Sequence, residues 1–224
     1  MRIKAAVWGT ALPAVVGHAT LARMAILTVY GTVTSPYVRR VRAVALELGV
    51  EVALVDTFTE DGNAQLRALS PIWKVPAAKH GDVILYDSAV ITQHLLRHHG
   101  PAPMERWDED DVATRNLVTV IDGALDALIN VFYLAKDDVT PAQASYVAKQ
   151  SARAESAMTW IEANLPESTL DADRPLGLPA LALYTTADWM RFRGTYDVSR
   201  HPRVMRLMDA LSARPSLRET APPG

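Results

Sequence analysis

Two short apolar runs, residues 24–30 (MAILTVY) and 50–56 (VEVALVD), are rich in β-branched residues and predict buried strands. Between them Ser35 suits an N-cap and Pro36 a first helical turn, and Val38, Val41, Ala45 and Leu48 recur on one face until Gly49 stops the helix. Strand, helix and strand in that order predict a βαβ unit whose two strands run parallel. A looser, partly helical stretch over residues 59–69 leads to Ser70-Pro71-Ile72-Trp73-Lys74-Val75-Pro76. Residues 77–79 and 83–86 then read as a hairpin turned at His80-Gly81-Asp82. The next helix opens at Asp87-Ser88, turns Ile91 and Leu95 inward and stops at Gly100, with Pro101 beyond it.

Past Pro101-Ala102-Pro103 the periodicity changes. Residues 106–136 and 142–165 carry helical spacing without strand-like alternation, and two further helices fit 178–193 and 202–212. Pro202 lies in the first turn of the last helix and Pro215 follows its end; residues 167–175 read as loop. The expected class is therefore α/β plus all-α, βαβ-ββα followed by a helical bundle. Residues 24–100 form the first domain in this reading, and residues 101–224 the second. Residues 1–23 stand apart as an N-terminal extension. Their basic start and apolar stretch resemble a weak signal peptide interrupted by Pro13, while Met24 sits where a start would suit the first strand, so an over-long start is the preferred reading over a targeting segment.

Composition narrows the chemistry. The chain has no cysteine, which removes disulfides, thiolate metal sites and any protein thiol nucleophile. A formal net charge of -2, with both signs interspersed, offers no basic block for a phosphate backbone, so nucleic acid is not an expected partner. No uninterrupted apolar run reaches the roughly 20 residues of a bilayer span, so no membrane association is expected and a cytoplasmic location is. His94 and His98 are spaced four apart beside His99, yet no third ligand is evident in sequence, and the expectation is no metal site. The Asp108-Glu109-Asp110-Asp111 run reads as helix N-terminal charge, and Trp160 and Trp189 as core residues.

Three stretches together resemble the cytosolic glutathione transferase family from residue 24 to the end of the chain. Tyr30-Gly31-Thr32-Val33-Thr34-Ser35-Pro36-Tyr37 is similar to the strand-to-helix turn of Ser-type bacterial members. Lys74-Val75-Pro76-Ala77 with Tyr86-Asp87-Ser88 looks like the family's Val-Pro and acidic-Ser pair. Asp188-Trp189-Met190-Arg191-Phe192-Arg193, His201-Pro202 and residues 211–220 resemble the ending of many bacterial members. The resemblance implies a thioredoxin-like first domain, glutathione as co-substrate, a homodimer, and attack of the glutathione thiolate on a hydrophobic electrophile. The alternative is a non-catalytic protein of this fold that binds ligands or protein partners.

The same resemblance makes Ser35 the group that hydrogen-bonds the thiolate, with Thr34 next in rank and Tyr30 and Tyr37 as further hydroxyls; the local sequence alone reads Ser35 as an N-cap. Lowering a thiol pKa of about 8.5 by about two units takes roughly 2.7 kcal/mol. A charge-assisted hydrogen bond supplies roughly 1.5–3 kcal/mol and a helix N-terminus about 0.3–1, so one hydroxyl and one helix end suffice. Val75-Pro76 is implied to be cis, freeing the Val75 backbone for glutathione, although sequence alone reads this proline as trans. Asp87 and Ser88 are implied to hold the γ-glutamyl end at a helix N-terminus, and Lys74 a carboxylate. The turn at Thr32-Val33 and the helix past Phe132 and Tyr133 are expected to line the second-substrate pocket.

Two departures stand out. Trp73 occupies a position the family usually gives to a small residue, so its indole is expected to reach the cleft. Gly177 and Ala180 stand where the family has a side-chain capping box, which removes about 1 kcal/mol of helix stabilisation, while Pro179 still suits the first turn.

Overall fold

The computed structural model describes residues 26–171 and 173–223; the predicted extension, residues 1–23, lies outside them. Strand β1 (Leu27–Gly31) runs into helix α1 (Pro36–Glu47), then β2 (Val52–Asp56), α2 (Glu60–Leu69), β3 (Ala77–His80), β4 (Val83–Tyr86) and α3 (Ser88–His99). The sheet order is β2-β1-β3-β4. β1 and β2 are parallel with Leu27 opposite Val52, whereas β3 runs antiparallel to both β1 and β4. Parallel pairing follows from the α1 crossover, and the tight β3–β4 turn is made by Gly81 with φ of +59°.

α1 and α3 pack against each other. Val38, Val41 and Ala45 from α1, and Ile91 and Leu95 from α3, are fully buried with Leu27 and Val29 of β1. The partly helical stretch is a regular helix, α2, because Thr59 caps it by accepting from the N–H of Gly62.

Helices α4 (Val112–Lys136), α5 (Ser145–Asn164), α6 (Leu178–Arg193), α7 (Pro202–Leu211) and α8 (Pro215–Glu219) complete the chain. α6 is buried on every side for most of its length, from Leu178 to Met190, and packs on α1, α4 and α7. The expected thioredoxin-like sheet region followed by a helical region is the fold observed.

Several details differ from expectation. Trp189 is buried, but Trp160 is 40% exposed on the outer face of α5 and is no core residue. Pro215 opens α8, since proline at a first helical position loses no intrahelical bond. α4 begins six residues later than the periodicity suggested, at the point where Asp111 caps Thr114. By length and composition α4 can cross a membrane, although no such stretch was expected. In this fold its buried side, including Ile121, Ala124 and Leu125, belongs to the helical core.

Gly177 does cap α6 without a side-chain bond, and Pro179 lies in the first turn. A Cβ at Gly177 would stand 2.6 Å from Glu105 Oε2, and Arg174 holds the other Glu105 oxygen at 3.2 Å. The glycine thus admits a carboxylate from residue 105 to the positive end of the helix, where it offsets the missing local cap.

Candidate functional site

A cavity of about 630 Å³ opens where the C-terminal ends of β1 and β2 face α4 and α6. All six residues singled out by resemblance line it: Ser35, Lys74, Val75, Pro76, Asp87 and Ser88. A separate polar cavity of about 250 Å³, near Glu105 and Arg174, contains none of them.

Ser35 is held at the N-terminus of α1 because the chain turns sharply after β1, closed by Ser35 N–H donating to the Thr32 carbonyl at 3.1 Å. Its Oγ accepts weakly from the Val38 N–H at 3.3 Å. That bond occupies a lone pair and leaves the hydroxyl hydrogen free to donate into the cavity. The N-cap and ligand roles of Ser35 are therefore compatible. Thr34 also lines the cavity, with its Oγ1 3.4 Å from Thr32 Oγ1.

Tyr37 is disposed otherwise. Its hydroxyl donates to Asp126 Oδ1 at 2.8 Å and leans on the Asp122 carbonyl at 3.4 Å. Burial, with Asp122 and Asp126 beside it, raises its phenol far above the ordinary tyrosine range. Its proton is committed to α4.

The Val75–Pro76 peptide is cis. Val75 makes no backbone hydrogen bond to any described residue, so its N–H and C=O stay available at the cavity edge. Asp87 caps α3 through Oδ1, which accepts from Ala89 N–H at 2.9 Å and Val90 N–H at 3.4 Å. Its Oδ2 and the buried Ser88 hydroxyl remain next to the helix N-terminus. This end of the cavity is thus polar, with donors from two helix N-termini. Trp73, with φ of +51°, is 59% exposed, stacks with the Arg67 guanidinium at 4.7 Å and does reach the cleft.

The opposite end is aromatic. Phe132 and Tyr133 line it as expected, and so does Thr32, whereas Val33 lies outside it against a small cleft beside Pro222. Sequence reasoning missed Phe58 and Asn63 from the β2–α2 segment, and Trp189 and Arg193 from α6. Only the Trp189-to-Arg193 spacing, one turn of a helix, carried a signal that the latter two share a face.

Buried charges fix the walls. Arg40, 1% exposed, lies 2.7 Å from Asp122 Oδ1 in an ion pair too oblique for a hydrogen bond. Arg39 pairs with Asp188 of α6 and donates to the Leu217 carbonyl at 2.9 Å. Away from the cavity, His80 of β3 approaches His94, Nδ1 to Nε2 3.0 Å, and the His94 and His98 rings lie 4.4 Å apart. The partner of His94 thus comes from a strand that the helix spacing did not reveal. Burial first, and then His98, His80 and His99, lower the His94 pKa to about 4. Among the described residues no group of three or more His, Cys, Asp or Glu side chains is arranged to hold a metal ion.

Comparison with known proteins bears on this arrangement. Residues 29–103 match the model of the glutathione S-transferase N-terminal domain. An uncharacterized GST-like protein of Escherichia coli, YibF, is 24% identical over 200 residues, covering 86% of this chain and 97% of its own. A Methylobacterium radiotolerans glutathione S-transferase, solved with glutathione sulfonate, superposes with a TM-score of 0.75 at 27% identity over 88% of this chain and 95% of that one. A glutathione transferase family member from Pseudomonas fluorescens, with bound glutathione, gives 0.73 at 26% identity over 88% of this chain and 100% of that one. Residues 29–103 thus match a glutathione S-transferase N-terminal domain in sequence, and the chain as a whole is similar in fold to solved glutathione transferases.

Proposed function

We propose that the protein is a glutathione transferase that holds glutathione at the polar end of the cavity and directs its thiolate at a hydrophobic electrophile in the aromatic end. The observation that carries this reading is the convergence of the Ser35 hydroxyl, the unpaired Val75 backbone and the Asp87–Ser88 helix start on one cavity. Glutathione bound in the Pseudomonas fluorescens relative supports it.

In this mechanism the Val75 N–H and C=O pair with the cysteinyl backbone, which sets the sulfur toward α1. Ser88, with the helix start behind it, receives the γ-glutamyl carboxylate, and Asp87 Oδ2 meets the ammonium. Lys74 faces the other carboxylate. Ser35 donates its hydroxyl hydrogen to the sulfur, and the N-terminus of α1 adds its partial positive charge, so the thiol loses its proton to solvent near neutral pH. The thiolate then forms a bond to the electrophilic carbon, and the leaving group departs with its bonding electrons. Burial in the cavity supplies proximity.

The chain acts in the cytoplasm as a homodimer in this reading, in conjugation of the kind that detoxifies electrophiles. Exposed Val83, Ile84 and Val90 on β4 and α3 support pairing of two copies. The domain limits 24–100 and 101–224 complete the proposal.

Retention on immobilised glutathione, with ultraviolet titration of the bound thiolate, tests the activity. The native protein is expected to bind glutathione and lower its thiol pKa by about two units, and Ser35→Ala to lose most of that shift. Binding with an unshifted thiol in both proteins would favour the non-catalytic reading, and absence of binding would end the enzymatic one.

A further inference from the structure

Two cations stand at the aromatic end of the cavity, Arg193 and Lys136, and neither forms an ion pair among the described residues. Arg193 closes that end from α6. Its guanidinium lies 5.2 Å from the centre of the Phe132 ring and 4.4 Å from that of Phe192. It forms no ion pair among the described residues, and its buried Nε has no hydrogen-bond partner. Lys136 approaches the same Phe132 ring at 4.6 Å and Tyr133 at 5.5 Å. One ring is therefore shared by two cations.

Of the acidic residues on the α4 wall, Asp122 is paired with Arg40, whereas Asp126 accepts from the neutral Tyr37 phenol and keeps its charge, leaving one carboxylate against two cations. Ring faces attract cations, but a cation–π contact returns only about 0.5–2 kcal/mol and leaves the guanidinium's donors unfilled. Two like charges over one ring also repel each other. An anion against the Arg193 guanidinium would offset that repulsion and fill its fork, which matches carboxylate geometry.

We infer that the second substrate is an aromatic anion, its ring seated among Phe132, Tyr133 and Trp189 and its carboxylate, or an equivalent monoanionic group, held by Arg193 with support from Lys136. This rests on the glutathione transferase reading of the same cavity, and deepens it by adding a charge requirement to a hydrophobic electrophile. Arg193 is then a specificity-determining residue that touches substrate but takes no part in thiol activation.

The test is equilibrium binding without glutathione, so that it stands apart from the thiolate measurement. Isothermal titration with 2-naphthoate and with the isosteric, neutral 2-naphthamide compares the native protein with Arg193→Gln and Arg193→Lys, each first checked for a native circular dichroism spectrum and melting temperature. The native protein is expected to bind the naphthoate roughly ten- to hundredfold more tightly than the amide, the range of a hydrogen bond to a charged group. Arg193→Gln should bring the two affinities together by weakening the naphthoate alone, and Arg193→Lys should keep part of the preference.

Equal affinities in the native protein, or no binding of either probe, overturn the inference. A preference that survives Arg193→Gln also overturns it, and would transfer the anion to Lys74. In any of these cases, glutathione titration of the same samples shows whether the transferase reading stands without it.

Discussion

The phenol of Tyr37 donates to Asp126 Oδ1 at 2.8 Å, tying the first turn of α1 to the middle of α4 across the floor of the cavity. This bond separates two hydroxyls that the sequence leaves as rivals. Tyr37→Phe is expected to cost about 1 kcal/mol in urea unfolding, the value of one hydrogen bond, and to leave the thiol pKa of bound glutathione where it was. Ser35→Ala is expected to cost a similar amount through the lost N-cap but to remove most of the shift. If Tyr37→Phe also moved the thiol pKa, activation would not belong to Ser35 by itself.

Gly31 ends β1 directly against Val38 of α1, so that a Cβ at residue 31 would overlap Val38 Cγ2. Val38 is fully buried and β-branched, with little freedom to withdraw. Gly31→Ala should therefore destabilise the protein by about 1–3 kcal/mol, an overpacking cost. In the background of Val38→Ala the same change should cost much less, and a double-mutant cycle by denaturant melting measures that coupling.

Arg39 is 3% exposed, and Asp188 and the Leu217 carbonyl are its polar partners. Asp188→Ala leaves a buried charge half satisfied and is expected to cost about 3 kcal/mol or more. Replacing both residues, Arg39→Met with Asp188→Ala, should recover most of that loss. Additive losses in the pair, measured by urea midpoints, would mean that packing and not charge dominates here.

His94 gives the fold an acid-sensitive side. Its folded pKa, about 4, lies below the usual 6.5, so between those values the unfolded chain binds a proton that the folded chain refuses. Stability from this group is complete above pH 6.5 and is lost as pH falls through 4. Solvent screening of the half-buried ring keeps the loss on the order of 1–2 kcal/mol. A pH series of thermal melts should show His94→Gln with a shallower decline across that window than the native protein.

Features encoded by neighbouring residues were legible before the structure. Ser35-Pro36, Asp87-Ser88 and Gly100 punctuate their helices where cap chemistry requires, and the β-branched runs became the parallel pair β1 and β2. The cis geometry at Val75–Pro76 came from family resemblance, because local physics favours trans. What the sequence concealed is what the fold assembles across distance. His80 reaches His94 from another element, Glu105 reaches the end of α6, and Arg193 reaches the cavity only because α6 lies beneath it. Trp160 was misjudged because a large aromatic residue is expected inside, although a surface ring on a long helix costs little.

The ion pairs of α1 also bear on how the protein is made. Arg40 finds Asp122 on α4, Arg39 finds Asp188 and then the Leu217 carbonyl, 178 residues downstream, and Glu47 finds Arg214 at a separation of 167. A nascent chain that has delivered its whole sheet to solvent still carries three charged side chains on α1 without their partners. Vectorial synthesis therefore supplies the last of these partners only with the final helix, and until then this surface of α1 depends on water for its hydrogen bonds.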